Sequence, residues 1–226
     1  MVKISEDAKL RGQRYVFRDR AEAGRALAEV LGPFPSLNSI VLAIPSGGLP
    51  VAAELAKRLD LRLDIVIVRK LQIPRNPEAG FGAISLGGDT VLNEELVRDL
   101  KLSEEQVGRA KENAMRDGRS RERVLRGLRP YPDLVGKNVI LVDDGLATGY
   151  TMLAAIRAVR ANHPAEIIVA VPTGSDRSVD LVAGDVEEVI CLNIREMPFA
   201  VADAFRNWYD VDEEEAVAAL RYGNPP

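Results

Sequence analysis

Sulfur and imidazole are scarce in this sequence: its 226 residues include one cysteine, Cys191, and one histidine, His163. A single cysteine excludes an internal disulfide and suits a reducing compartment. A single histidine argues against a His-rich metal centre and against a Ser-His-Asp triad. No apolar run approaches the roughly 20 residues of a membrane helix. The longest runs are strand-length and bounded by charges, so no membrane partner is expected. Met1–Arg20 lacks the apolar stretch of a secretory leader, and the expected location is the cytoplasm. Internal repeats and low-complexity segments are also missing. The formal net charge is only -4, so no polyanionic partner is demanded. Apolar residues make up 46% and charged residues 28%, the balance of an ordinary globular enzyme with a full core.

What is present alternates between apolar strand-like runs and amphipathic helical stretches, the pattern of a doubly wound, mainly parallel α/β sheet. Arg20–Leu31 reads as a helix capped by Asp19 and ended by Gly32-Pro33. Ile40–Ile44 is a wholly apolar strand, followed by the turn Pro45-Ser46-Gly47-Gly48 and a helix over Pro50–Leu59. Leu63–Val68 is the next strand. The pattern then fails over Lys70–Asp89, which holds Pro74, Pro77, Gly80, Gly82, Gly87 and Gly88; an irregular stretch of this length is expected to be functional or disordered. Helices follow at Asn93–Leu100 and Ser103–Arg126, the second opened by the capping box Ser103-x-x-Gln106. Val139–Val142, Ile167–Val171 and Val189–Leu192 complete a five-stranded sheet, with helices at Thr151–Ala161 and Asp212–Leu220.

The chemistry concentrates at Val139–Thr151. Four apolar residues form a buried strand whose C-terminal end delivers two adjacent carboxylates, Asp143 and Asp144. A turn with Gly145, Thr148 and Gly149 runs into a helix near Thr151. Ligands of open α/β sheets bind at the C-terminal ends of strands. A glycine-bearing turn at a helix N-terminus points backbone N–H groups at an anion, and the helix dipole adds to the attraction. Two acids beside a phosphate cradle make sense when they face sugar hydroxyls or Mg²⁺. A phosphorylated sugar with a free diol satisfies both halves. The segment is neither a Walker A loop nor a G-x-G-x-x-G fingerprint.

On these residues the segment resembles the 5-phosphoribosyl-1-pyrophosphate (PRPP) motif of the type I phosphoribosyltransferases. The resemblance implies that Asp143 and Asp144 are the catalytic acids, contacting the ribose 2′ and 3′ hydroxyls. It implies that Ala147, Thr148, Gly149, Tyr150 and Thr151 wrap the 5′-phosphate. In the same family a short pyrophosphate loop, often with a cis peptide, follows the first core strand; Ser46, Gly47 and Gly48 take that place, with Arg69 and Lys70 from the next strand. Arg75 would lie on a flexible active-site loop. Mg²⁺ would be held mainly through PRPP, with no direct protein ligand. Further shared features are Phe17-Arg18-Asp19-Arg20, Asn76-Pro77-Glu78 and Leu92-Asn93-Glu94-Glu95. They resemble a bacterial and archaeal subgroup of predicted phosphoribosyltransferases. Ser46 departs from the arginine expected in that loop.

The implied organisation is a single phosphoribosyltransferase domain over residues 1–226. It carries a flexible loop at about 71–90, a helical insertion at about 93–129 and a C-terminal hood at about 193–226. Family analogy adds a homodimer. Ala147 stands where purine-salvage members carry a third acid, which disfavours a 6-oxopurine acceptor. Phe199 and Trp208 are candidate stacking surfaces, and Pro172-Thr173-Gly174-Ser175 a better candidate for lining the site. The competing reading is a PRPP-binding regulator. Arg109–Arg129 holds the cations Arg109, Lys111, Arg116, Arg119, Arg121, Arg123, Arg126 and Arg129. Such a run is more often a solvated face laced with i,i+4 pairs than a nucleic-acid site, so no nucleic-acid partner is expected.

Overall fold

The computed structural model describes residues 2–33, 38–74 and 76–224. Its strands, in chain order, are β1 (Lys3–Ser5), β2 (Ser39–Ala43), β3 (Arg62–Ile65), β4 (Val68–Ile73), β5 (Asn76–Ser85), β6 (Thr90–Leu92), β7 (Asn138–Val142), β8 (Glu166–Ser175) and β9 (Glu188–Arg195). The helices are α1 (Arg20–Leu31), α2 (Gly48–Leu59), α3 (Glu94–Asp99), α4 (Glu104–Arg126), α5 (Tyr150–Arg160), α6 (Asp176–Ala183) and α7 (Glu213–Tyr222).

Six strands form one sheet in the order β1-β9-β8-β7-β2-β3, and every pairing in it is parallel. Strand residues alternate between its faces. Val41, Ala43, Ile140 and Val142 meet α1, α2 and α7 on one side. Ile40, Leu42, Val139 and Leu141 meet α5 and α6 on the other. A sheet covered on both faces explains why these strands read as continuous apolar runs. From β2 the chain winds outward to β3; from β7 it winds the opposite way to β8 and β9. The crevice at the C-terminal ends of β2 and β7 is therefore the topological switch point, where such sheets bind ligands.

The doubly wound class is as expected, with corrections in detail. The parallel sheet has six strands rather than five, because β1 is a three-residue edge strand too short for its period to show. The stretch expected to be irregular is mostly strand: β4, β5 and β6 make a separate antiparallel sheet. Register shifts at Leu71/Gln72 and Gln72/Ile73 break its alternation. Glycines that read as breakers sit where neighbours press close; a Cβ on Gly82 would lie 2.3 Å from the Val91 carbonyl oxygen. Leu63–Val68 divides between β3 and β4 as the chain passes from one sheet to the other. Strands β8 and β9 run on through Ser175 and Arg195, so neither Pro172–Ser175 nor Asn193–Arg195 leaves the core.

Helix α4 carries the expected capping box: Ser103 Oγ accepts from Gln106 N at 3.2 Å, and Gln106 Oε1 accepts from Ser103 N at 2.8 Å. Further along, Arg126 Nε donates to Asp64 Oδ1 at 3.1 Å, and both residues are buried. That pair fixes α4 to β3. Among the described residues only two i,i+4 ion pairs lie on α4, Arg109 with Glu105 and Arg126 with Glu122. Among the same residues Lys111, Arg116, Arg119 and Arg123 have no ion-pair partner, so the expected lacing of this face is sparse. No helix among the described residues is long and apolar enough to cross a membrane.

Candidate active site

Two turns meet at the switch point. The first, after β2, contains a cis peptide between Pro45 and Ser46, then Gly47 and Gly48 at the start of α2. It presses against the end of β7: a Cβ on Gly47 would lie 2.1 Å from Asp144 Oδ2, so only glycine lets the two segments approach this closely. The second turn runs from Asp143 to Thr151. Gly149 caps α5 at φ +80°, a left-handed conformation that suits glycine. No acceptor among the described residues meets the backbone N–H groups of Thr148, Gly149, Tyr150 and Thr151. Open donors and the positive end of α5 point at one place.

The second turn is rigidly backed. Leu146 N donates to the Thr173 carbonyl at 2.9 Å, and Ser175 N donates to the Leu146 carbonyl at 3.1 Å. Ser178 Oγ also donates to the Leu146 carbonyl, at 2.7 Å. Pro172–Ser175 thus supports the turn from beneath, fully buried in β8, and does not line the cleft as expected. Hydrogen bonding here depends on strand extensions that no local pattern marks.

A cleft of about 350 Å³ opens in front of the second turn, lined by Lys70, Gly80, Asp143 and the backbone from Gly145 through Met152. Ala147, Thr148, Gly149, Tyr150 and Thr151 all border it. The acids diverge. Asp143 faces the cleft, its Oδ1 accepting from Asp144 N at 2.9 Å. Burial and the neighbouring Asp144 carboxylate raise its pKa well above the ordinary carboxylate range. Asp144 turns towards Arg20, whose Nε and Nη2 lie 3.0 and 2.9 Å from Asp144 Oδ2. Burial raises the Asp144 pKa too, with Arg20 opposing.

Of the predicted pyrophosphate set, Gly47 and Gly48 sit against Asp144 and Asp143, Ser46 instead bonds Arg121, and Lys70 reaches the cleft. Arg69 does not border it: its side chain lies against Gly118 of α4, and it shares with Lys70 a second cavity beside that helix. Arg75 lies outside the described residues. Trp208 offers its ring to Arg20, whose guanidinium carbon lies 4.0 Å from the ring centroid. Phe199 lies near Arg195 at 5.4 Å, and Cys191 is a core thiol raised in pKa by burial.

Arg20 is the residue whose role sequence reasoning missed. It is buried, bonds the Tyr209 carbonyl at 2.9 Å, and links the C-terminal segment to the acidic pair. A faint signal exists: a cation in the first turn of a helix opposes the dipole and implies a specific acidic partner.

A doubly wound parallel sheet with open amides and paired acids at its switch point defines the class. The chain belongs to the phosphoribosyl transferase domain family, which matches residues 20–204. It is 40% identical over 205 residues to the Mycobacterium tuberculosis protein described as "Putative phosphoribosyl transferase Rv0571c", and equally to its counterpart in a second strain of that species. The match covers 91% of this chain and 46% of those proteins, so the chain spans about half the length of the curated relatives it matches. The solved structure of TT1426 from Thermus thermophilus is 37% identical, with a TM-score of 0.73, covering 90% of this chain and 97% of that one.

Proposed function

We propose that the chain transfers the 5-phosphoribosyl group of PRPP to a nitrogen acceptor and releases pyrophosphate. One observation carries this reading. The unpartnered amides of Thr148–Thr151 and the Asp143 carboxylate border the same cleft, so an anion and a sugar hydroxyl fit it together. The 5′-phosphate lies in the amide cradle, and Asp143 accepts from the ribose hydroxyls. Asp144, steered by Arg20, flanks the pyrophosphate turn. The C1–O bond to pyrophosphate breaks with its electron pair on the leaving group, and the acceptor nitrogen forms the C1–N bond and gives up a proton. The chain's own part is to position and neutralise.

The residues fit Mg²⁺ in a limited way. Among the described residues no three His, Cys, Asp or Glu side chains gather as a metal site. The raised pKa of Asp143 marks a place where a cation would relieve buried negative charge. Mg²⁺ carried by PRPP would lie near Asp143 and stabilise the charge of the leaving group. Ala147 puts no acid near the acceptor's proton, which favours an acceptor other than a 6-oxopurine.

The test is pyrophosphate release from PRPP and Mg²⁺ over a panel of nucleobases and small amines. Asp143→Asn or Asp144→Asn should lower kcat/KM by about 2–4 kcal/mol, roughly 30- to 900-fold. Unchanged turnover in both variants would sink the assignment. A second reading, a PRPP-dependent regulator that binds nucleic acid, is favoured by the cations of α4 without ion-pair partners. PRPP binding with no pyrophosphate release across the panel, plus salt-sensitive retention of nucleic acid, would favour it.

A further inference from the structure

The turn after β2, from Ile44 to Pro50, carries no charged side chain. The fold brings one to it from a distant part of the chain. Helix α4 passes β4 at Gly118, where a Cβ would lie 2.8 Å from Leu86 Cδ2 and 3.3 Å from Arg69 Cγ. The missing side chain lets the helix sit close. About one turn further on, half-buried Arg121 donates from Nη1 to Ser46 Oγ. Arg121 has no ion-pair partner among the described residues.

Arg69 comes up beside it. Burial, and then the Arg121 charge, lower the Arg69 pKa, while Asp117 acts the other way. Two guanidinium groups are therefore held near each other behind an uncharged, glycine-rich turn. Asp117 offsets only part of this repulsion, and a further anion would relieve the rest. A guanidinium that spends one nitrogen on Ser46 still has donors for a phosphate oxygen.

We propose that Arg121 binds the leaving pyrophosphate, so that helix α4 supplies to the Ser46 turn the cation its own sequence lacks, with Arg69 as a supporting charge. This rests on the phosphoribosyl-transfer reading above. It also gives the insertion a role in the site: α4 is anchored on Asp64 through Arg126, and the anchored helix delivers Arg121.

The test titrates the intact protein with pyrophosphate plus Mg²⁺ and, separately, with ribose 5-phosphate. Arg121→Ala should weaken pyrophosphate binding about tenfold or more, the scale of a lost charge-assisted contact. Ribose 5-phosphate binding should not change. Arg121→Lys, which keeps the charge and loses the fork, should fall between. Adding Ser46→Arg to Arg121→Ala should recover most of the lost affinity by moving the cation onto the turn. Equal pyrophosphate affinity in wild type and Arg121→Ala would overturn the proposal alone. Parallel loss of both ligands with a lowered Tm would also overturn it, by making Arg121 a structural residue. If wild type binds neither ligand, the phosphoribosyl reading fails first and this one with it.

Discussion

The two turns at the switch point are built alike and stand in opposite states. The turn before α5 is open: its amides meet no internal acceptor among the described residues, and buried β8 holds it from beneath. The turn before α2 is engaged. Ser46 accepts from Arg121, Gly47 lies under Asp144, and Gly48 N already donates to the Ile44 carbonyl at 3.2 Å. Asp144 is itself tied to Arg20. The difference separates preorganisation from exchange. The first turn keeps its amides free for a ligand, whereas a ligand at the second would compete with contacts the protein makes to itself.

The largest expected effect breaks the engaged side. Arg126→Ala leaves buried Asp64 with only the exposed Arg62, 3.6 Å away, and should cost about 3 kcal/mol in chemical denaturation. With α4 loosened, pyrophosphate affinity should fall more than ribose 5-phosphate affinity. Next comes the open side. Gly149→Ala forces a side chain into φ +80° and should cost about 1–2 kcal/mol. It re-aims the α5 amides, so ribose 5-phosphate binding should weaken while pyrophosphate binding holds; isothermal titration reads both.

Asp143 sharpens the comparison through pH. Its folded-state pKa is raised, so the unfolded chain gives up this proton at lower pH than the folded one. Stability is unpenalised while both forms are protonated. It falls as pH climbs from the ordinary carboxylate value through the raised one. Asp143→Asn should therefore be more stable than wild type at neutral pH, by about 1 kcal/mol, and the gain should vanish at acid pH. A Tm difference independent of pH would count against this. The smallest effect is a control. Ser103→Ala removes the α4 capping box and should cost about 0.5–1 kcal/mol without altering either ligand's affinity.

The α/β class, the strand-turn-helix at Val139–Thr151 and the capping of α1 and α4 were legible because each is written in contiguous residues. Apolar runs mark strands buried on both faces, Asp and Ser mark helix starts, and a glycine before α5 marks the left-handed cap. Less legible were the short edge strand β1 and the sheet β4-β5-β6, whose bulges and glycines hide its period. The extensions of β8 and β9 into residues that read as loop were also obscure. Arg69 and Lys70 looked equivalent as neighbours in sequence, but only Lys70 borders the cleft, while Arg69 packs against Gly118 of α4.

By itself, then, the sequence determined where the turn with open amides lies and which acids stand next to it, because backbone propensity and local spacing act over a few residues. Tertiary structure alone decided that Arg20 would hold Asp144, across 124 positions, and that Arg121 would reach Ser46, across 75. Such contacts depend on how helices pack on a sheet, through a glycine that permits close approach and a buried ion pair that sets an anchor. No local stretch of chain encodes the distance between its own ends.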